Sequence, residues 1–262
     1  MDINAIEYGN PTQMDAHALK LSNYLDRYYE EFRRTPMPKN NSLLTREELN
    51  MLRDYVRVTE SDQTLKTRYR KYDISGMEYL RQVMVKAGAP EDDINRLMWG
   101  IVNDTMPLVV KLKMTFQRPR PFQLARAYRL TLYPYNSARA NSPSYPSGLT
   151  LQANLVTKVL ANRYPQLSDS LEAYRKDYAL SRLYLGLHYP TDNDFAEQVA
   201  NSIAQDDRFR EKYGYYEDPR TIADPGGEAS DDPIRQMEAA TGGSEIPPLL
   251  HGPHADVQHP EV

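Results

Sequence analysis

The chain has no cysteine among its 262 residues. That excludes a disulfide framework, a thiol nucleophile and a thiolate metal site. It also lacks any run of about eighteen apolar residues, the length that a membrane-spanning helix requires. The opening residues, MDINAIEYGNPTQMD, carry neither the basic start nor the apolar stretch of a secretory signal. The expectation is a soluble, intracellular protein, long enough for one substantial domain or two small ones.

A second scarcity is local. From Thr105 to Ser168 there is not one Asp or Glu, while nine Lys or Arg fall in those 64 residues. Carboxylates concentrate instead at the end: Gly214 to Val262 holds ten of them with two arginines, a local net charge of −8. The chain's formal charge of −4 therefore hides a basic body. An anion is expected near the carboxylate-free run. Six of the twelve glycines and seven of the nineteen prolines also lie in those last 49 residues, which read as a flexible acidic tail. Within it, Ile246 to Leu250 (IPPLL) has the form of a docking peptide for a protein partner, although a stray apolar patch is the plainer reading.

Elsewhere apolar residues recur at helical spacing. Leu21, Tyr24, Leu25, Tyr28 and Phe32 share one face, as do Ile94, Leu97, Met98, Ile101 and Val102. Thr45 with Glu48, and Ser75 with Glu78, have the spacing of capping boxes that open helices. Pro107 is expected to kink or divide the helix that continues to Phe116. Further helices are expected from near Ser147 through Leu160, from Ser168 to Gly186, and from Thr191 to Gln205. No convincing alternating strand pattern is present. The fold class is therefore all-α: a single helical-bundle domain over residues 14–213, followed by the tail at 214–262.

Three segments carry chemistry. KLKMTFQRPRP contains Lys111, Arg118 and Pro119; SYPSGLT contains Ser147 and Gly148; SRLYLGLHYPTD contains Ser181, Arg182, His188 and Asp192. Arg and Lys joined by a Pro-rich turn can clamp a tetrahedral oxyanion, Arg through its planar fork. Ser-Gly at a helix start presents backbone N–H groups and the positive end of the helix dipole, and glycine lets a ligand approach closely. Pro190 places Asp192 in the first turn of a helix, where its carboxylate can hold one nitrogen of His188 and aim the other at a substrate. Any one of these is more often a buried ion pair, a core histidine or a plain helix start.

In order and spacing, the segments resemble the tripartite signature of the type 2 phosphatidic acid phosphatase superfamily: K-x6-R-P, P-S-G-H, then S-R-x5-H-x3-D. Bacterial class A acid phosphatases and vanadium haloperoxidases share it. Lys111 to Pro119 match the first element, Pro146 to Gly148 three quarters of the second, and Ser181 to Asp192 the third. The resemblance spans roughly residues 95–206. The wording RPRPFQLA, SPSYPSGLTLQ and LHYPTDND looks most like soluble bacteriophage-encoded members, which would place the protein in a host cytoplasm or a virion. The resemblance implies that Lys111, Arg118, Arg182, Ser147 and the Gly148 amide bind phosphoryl oxygens. It implies that His188 attacks phosphorus to form a phosphohistidine, oriented by Asp192, with a small phosphorylated substrate, no metal or other cofactor, and vanadate as an inhibitor.

The family's second motif ends in the histidine that protonates the leaving group. This chain has Leu149 there, and general acid catalysis is worth on the order of a hundred- to ten-thousand-fold. The other histidines are His17 and, in the tail, His251, His254 and His259; recruitment of His17 is conceivable. Leu149 is compatible with a phosphatase limited to good leaving groups, with a phosphate-binding pseudoenzyme acting in assembly, or with an introduced substitution in an active parent. A haloperoxidase is disfavoured because the missing histidine assists peroxide chemistry too. Nucleic-acid binding through the basic run, with some of the 20 tyrosines stacking on bases, is less well supported than tyrosines packed between helices.

Overall fold

The computed structural model describes residues 2–9 and 13–215. Among them every regular element is helical: α1 (Gln13–Ala18), α2 (Asp26–Phe32), α3 (Leu43–Ser61), α4 (Gln63–Lys86), α5 (Glu91–Phe116), α6 (Pro121–Ala127), α7 (Gly148–Arg163), α8 (Ser168–Tyr184), α9 (Pro190–Ala204) and α10 (Asp207–Tyr213), with short 3-10 turns at Ile3–Ala5 and Pro165–Leu167. The all-α expectation holds for these residues. Of the acidic tail only Gly214 and Tyr215 fall among them, and the IPPLL segment lies outside. No helix among them is long and apolar enough to cross a membrane.

Helix α7 is the centre of the bundle, packed against α5, α8 and α9. It is buried around most of its circumference, polar Gln152, Asn154 and Thr157 included, as a helix enclosed by others must be. Around it Leu151, Leu155 and Val159 join Ile94, Ile101 and Leu112 of α5 and Phe195, Val199 and Ile203 of α9 in one core. Between α4 and α8 the filling is aromatic: Tyr174 stacks on Tyr178 and both meet Tyr72 edge-on. These three tyrosines are buried between helices and offer no faces to bases. A smaller cluster of Leu49, Leu52, Val56, Leu124, Leu183 and Tyr189 joins α3, α6 and the α8–α9 connection.

Three helix boundaries differ from the sequence reading. Ser42, not Thr45, caps α3, its hydroxyl accepting from Thr45 N–H at 3.1 Å. Glu48 is thus freed from any capping role. Ser75 opens no helix either: α4 starts after Asp62, and Ser75 sits inside it at φ −146°, ψ 28°, where the helix kinks. Pro107 costs α5 one backbone hydrogen bond, yet the helix runs on to Phe116. Gln117 then adopts a left-handed conformation, φ 49°, and turns the chain sharply into Arg118-Pro119-Arg120-Pro121.

Candidate functional site

The α8–α9 connection brings His188 and Asp192 together as the motif implied. Tyr189 caps α9 and Pro190 occupies its first position, a place where the missing N–H costs nothing. That sets Asp192 one turn beyond His188. Asp192 Oδ2 lies 3.0 Å from His188 Nδ1 and accepts from Tyr189 N–H at 2.9 Å. The other ring nitrogen, Nε2, lies 2.9 Å from Arg120 Nη1, which also donates to Leu187 O at 2.7 Å. A guanidinium can only donate, so Nε2 is the unprotonated nitrogen and Nδ1–H donates to Asp192. Burial and the neighbouring Arg120 push the His188 pKa well below its usual 6.5. The ring is neutral, with a defined tautomer and a lone pair aimed at a cation.

Arg118 stands behind this pair rather than in front of it. It is fully buried and donates to Asp192 Oδ1 (2.7 Å), Thr191 Oγ1 (2.8 Å) and Glu48 Oε2 (3.0 Å), while its plane lies 3.9 Å from the Tyr189 ring centre. Glu48 Oε1 accepts in turn from Thr191 N–H at 2.8 Å. The result is a buried chain from Glu48 through Arg118, Asp192 and His188 to Arg120. Burial is the largest single influence on the Asp192 pKa and works to raise it, but Arg118, His188 and the Tyr189 N–H together outweigh it and hold the carboxyl well below the ordinary carboxylate range. Burial dominates at Glu48, whose pKa is raised despite Arg118.

The structure sets the residues of the first motif in unlike surroundings. Lys111 Nζ pairs with Asp26 Oδ1 of α2 at 2.6 Å, and Arg118 is the structural cation just described. Two positions along α5, about 200° around the helix, Lys113 is 6% exposed. Its ammonium donates to Pro143 O and, at 3.4 Å, to Ser144 O. Lys113 and Arg120 satisfy K-x6-R-P as well as Lys111 and Arg118 do, because KLKMTFQRPRP contains the pattern twice, offset by two residues. The structure brings the second copy to His188. Arg120 is 1% exposed, anchored through Nε to Ser142 O at 2.7 Å, and burial pushes its pKa down to about 10. Burial, then the adjacent Arg120, lowers the Lys113 pKa well below 10.5.

Arg182 joins from the last turn of α8. Its Nη1 donates to Asp73 Oδ1 of α4 at 2.7 Å, and Asp73 accepts further from Ser137 Oγ. Arg182 Nε is buried without an acceptor among the protein atoms. Ser147 caps α7, yet its own N–H is used on Asp192 O at 3.1 Å. Its hydroxyl lies 2.8 Å from Thr150 Oγ1, which donates to Asn193 Oδ1. What α7 offers an anion is therefore its next first-turn amides, beginning with Gly148. Gly148 permits this close fit: a Cβ there would lie 2.8 Å from Val109 Cγ1 and 3.8 Å from Lys113 Cε. Leu149 follows, half-buried against the core. His17 is exposed on α1.

The site is closed. His188 is 3% exposed, and two surface clefts, of about 400 and 90 Å³, are lined by other residues, from Asp93 to Gly214 and from Arg46 to Leu130. The segment before α1 lies across this end of the bundle: Tyr8 N–H donates to Gln117 O at 2.9 Å and Gln123 Nε2 to Tyr8 O at 3.3 Å. Lys113, Arg120, Glu48 and Asp73 were missed from sequence. The doubled motif was a signal for the first two, whereas Glu48 and Asp73 sit on α3 and α4 with no local mark of their role. The group as built combines convergent cations with an oriented neutral imidazole, suited to binding an anion and attacking it. The chain matches no protein-family model and no curated protein.

Proposed function

We propose that the chain is a phosphatase that hydrolyses phosphoric monoesters or anhydrides through a phosphohistidine on His188, as in the superfamily that its motifs resemble. One observation carries this reading. A neutral His188, tied by Nδ1–H to an ionised Asp192, directs its Nε2 lone pair toward the cationic cluster formed by Lys113, Arg120 and Arg182. A phosphoryl group bound there takes over Arg120 Nη1 and the unpartnered Arg182 Nε, and uncovers the His188 lone pair for in-line attack. Asp192, held ionised by Arg118, stabilises the positive charge that the ring acquires. Charge developing on the phosphoryl oxygens is met by fixed donors in a site with little water, where such donors act most strongly. Water then attacks the phosphohistidine and releases phosphate. Admission of substrate requires opening of the closed site.

Leu149 and the capping of Nε2 by Arg120 favour a second reading, a phosphate-binding pseudoenzyme with an assembly role. The two separate in an assay of phosphate release from aryl phosphate, alkyl phosphate, nucleotides and pyrophosphate, run beside His188→Ala and Leu149→His. Turnover that His188→Ala abolishes and vanadate blocks supports the phosphatase. Tight vanadate binding without turnover in either the natural chain or Leu149→His supports the pseudoenzyme.

A further inference from the structure

A phosphatase of this kind must protonate a poor leaving group, and Leu149 cannot. We propose that Lys113 is the proton donor, a role that rests on the phosphatase reading above. Lys113 reaches the start of α7 from α5, its Cε within 3.8 Å of where a Gly148 Cβ would lie, one residue from Leu149. It thus reaches the first turn of α7, the turn in which the signature carries its acid. Two of its three N–H bonds go to Pro143 O and Ser144 O; the third is left for a bound ester.

Charged groups from four elements act on Lys113. Arg120 at the start of α6 and Arg182 of α8 oppose its charge, whereas Asp192 of α9 and Asp15 of α1 favour it. His188 feels Lys113 in the same opposing sense. Burial and the two arginines prevail, so this ammonium gives up its proton more readily than a solvated lysine does. The alternatives are worse acids or badly placed. Burial raises the pKa of Tyr8 and Tyr145, Arg120 remains near 10, and His17 is exposed on α1.

The step balances. As His188 Nε2 forms its bond to phosphorus, the P–O bond to the leaving group breaks and that oxygen takes a proton from Lys113, leaving a neutral amine and a free alcohol. In the second half, water attacks the phosphohistidine, the P–N bond breaks, and the Lys113 amine takes the water's proton. Phosphate leaves and the ammonium is restored.

The test uses the full chain with a series of aryl and alkyl phosphates of rising leaving-group pKa. For the natural sequence we expect turnover to fall only shallowly along the series, with an alkaline limb in the pH profile for alkyl esters that is weak for the best aryl ester. In Lys113→Arg, which keeps the charge but not the acidity, the alkyl-to-aryl ratio should fall by about a hundredfold or more. Adding Leu149→His to that variant should restore it. A steep leaving-group dependence in the natural chain overturns the proposal without needing a variant. An equal loss of aryl and alkyl turnover in a folded Lys113→Arg also overturns it, leaving Lys113 as a phosphate ligand only. Absence of His188-dependent turnover with every ester instead removes the phosphatase reading itself.

Discussion

Replacing Arg118 with methionine tests whether the Glu48–Arg118–Asp192 chain is as tightly coupled as its geometry shows. The substitution keeps most of the side-chain length but removes a buried cation from between two buried carboxylates, Glu48 and Asp192. At about 4 Å and an effective dielectric near ~20, each charge pair is worth about 4 kcal/mol. The full loss of both is not expected, because a stranded carboxyl can take up a proton. The net cost should be about 3–5 kcal/mol, the range for breaking a buried ion pair by deleting one partner. Against a typical domain stability of roughly 5–15 kcal/mol, that is a large fraction. Urea denaturation monitored by circular dichroism would measure it. Two signatures distinguish the charge argument from simple loss of packing. Acidification should shrink the deficit, since without Arg118 the Asp192 pKa rises and protonation relieves the variant before the natural chain. Further, Glu48→Leu combined with Arg118→Met should cost less than the two single changes added together. A deficit under about 1 kcal/mol, or one that grows at low pH, would refute the reasoning.

Three other outcomes are expected. Lys113→Ala and Arg120→Ala should each weaken vanadate inhibition by more than about tenfold, whereas Lys111→Ala, which loses only a partly exposed pair with Asp26 of about 0–1 kcal/mol, should leave it unchanged; titration of inhibition decides the register. Gly148→Ala should destabilise by about 1–3 kcal/mol through overpacking against Val109 Cγ1, and Val109→Ala should recover part of the loss in thermal melts. The natural chain should lose stability as pH falls below 6.5, the ordinary His188 value. The unfolded imidazole binds a proton there that the folded one refuses. The depressed Asp192 carboxyl adds to this loss at lower pH, and a His188→Asn variant should show a shallower decline between pH 7 and 5.

The helical class and the His188–Asp192 pair were legible from residue order alone. Apolar spacing reports which face of a helix is buried, and Pro190 with Asp192 four residues after His188 defines a helix start by local geometry. Pattern failed where a choice depended on neighbours. Ser75 has the spacing of a helix start, yet backbone continuity and the packing of α4 against α8 carry the helix through it with a kink. KLKMTFQRPRP holds two equally good copies of one motif. Only the rotation of α5 against its neighbours decides that Lys113 faces Pro143, Ser144 and the start of α7 while Lys111 faces α2. Arg118 looked like a substrate ligand because sequence shows its charge but not the buried carboxylates on either side. Glu48 and Asp73 come from α3 and α4, outside every motif. Their roles exist only because packing brings distant helices together and leaves buried arginines that require partners. The chain's local spacing thus determined its helices and the His188–Asp192 pair, and the tertiary packing decided which cations meet that histidine and which merely hold it in place.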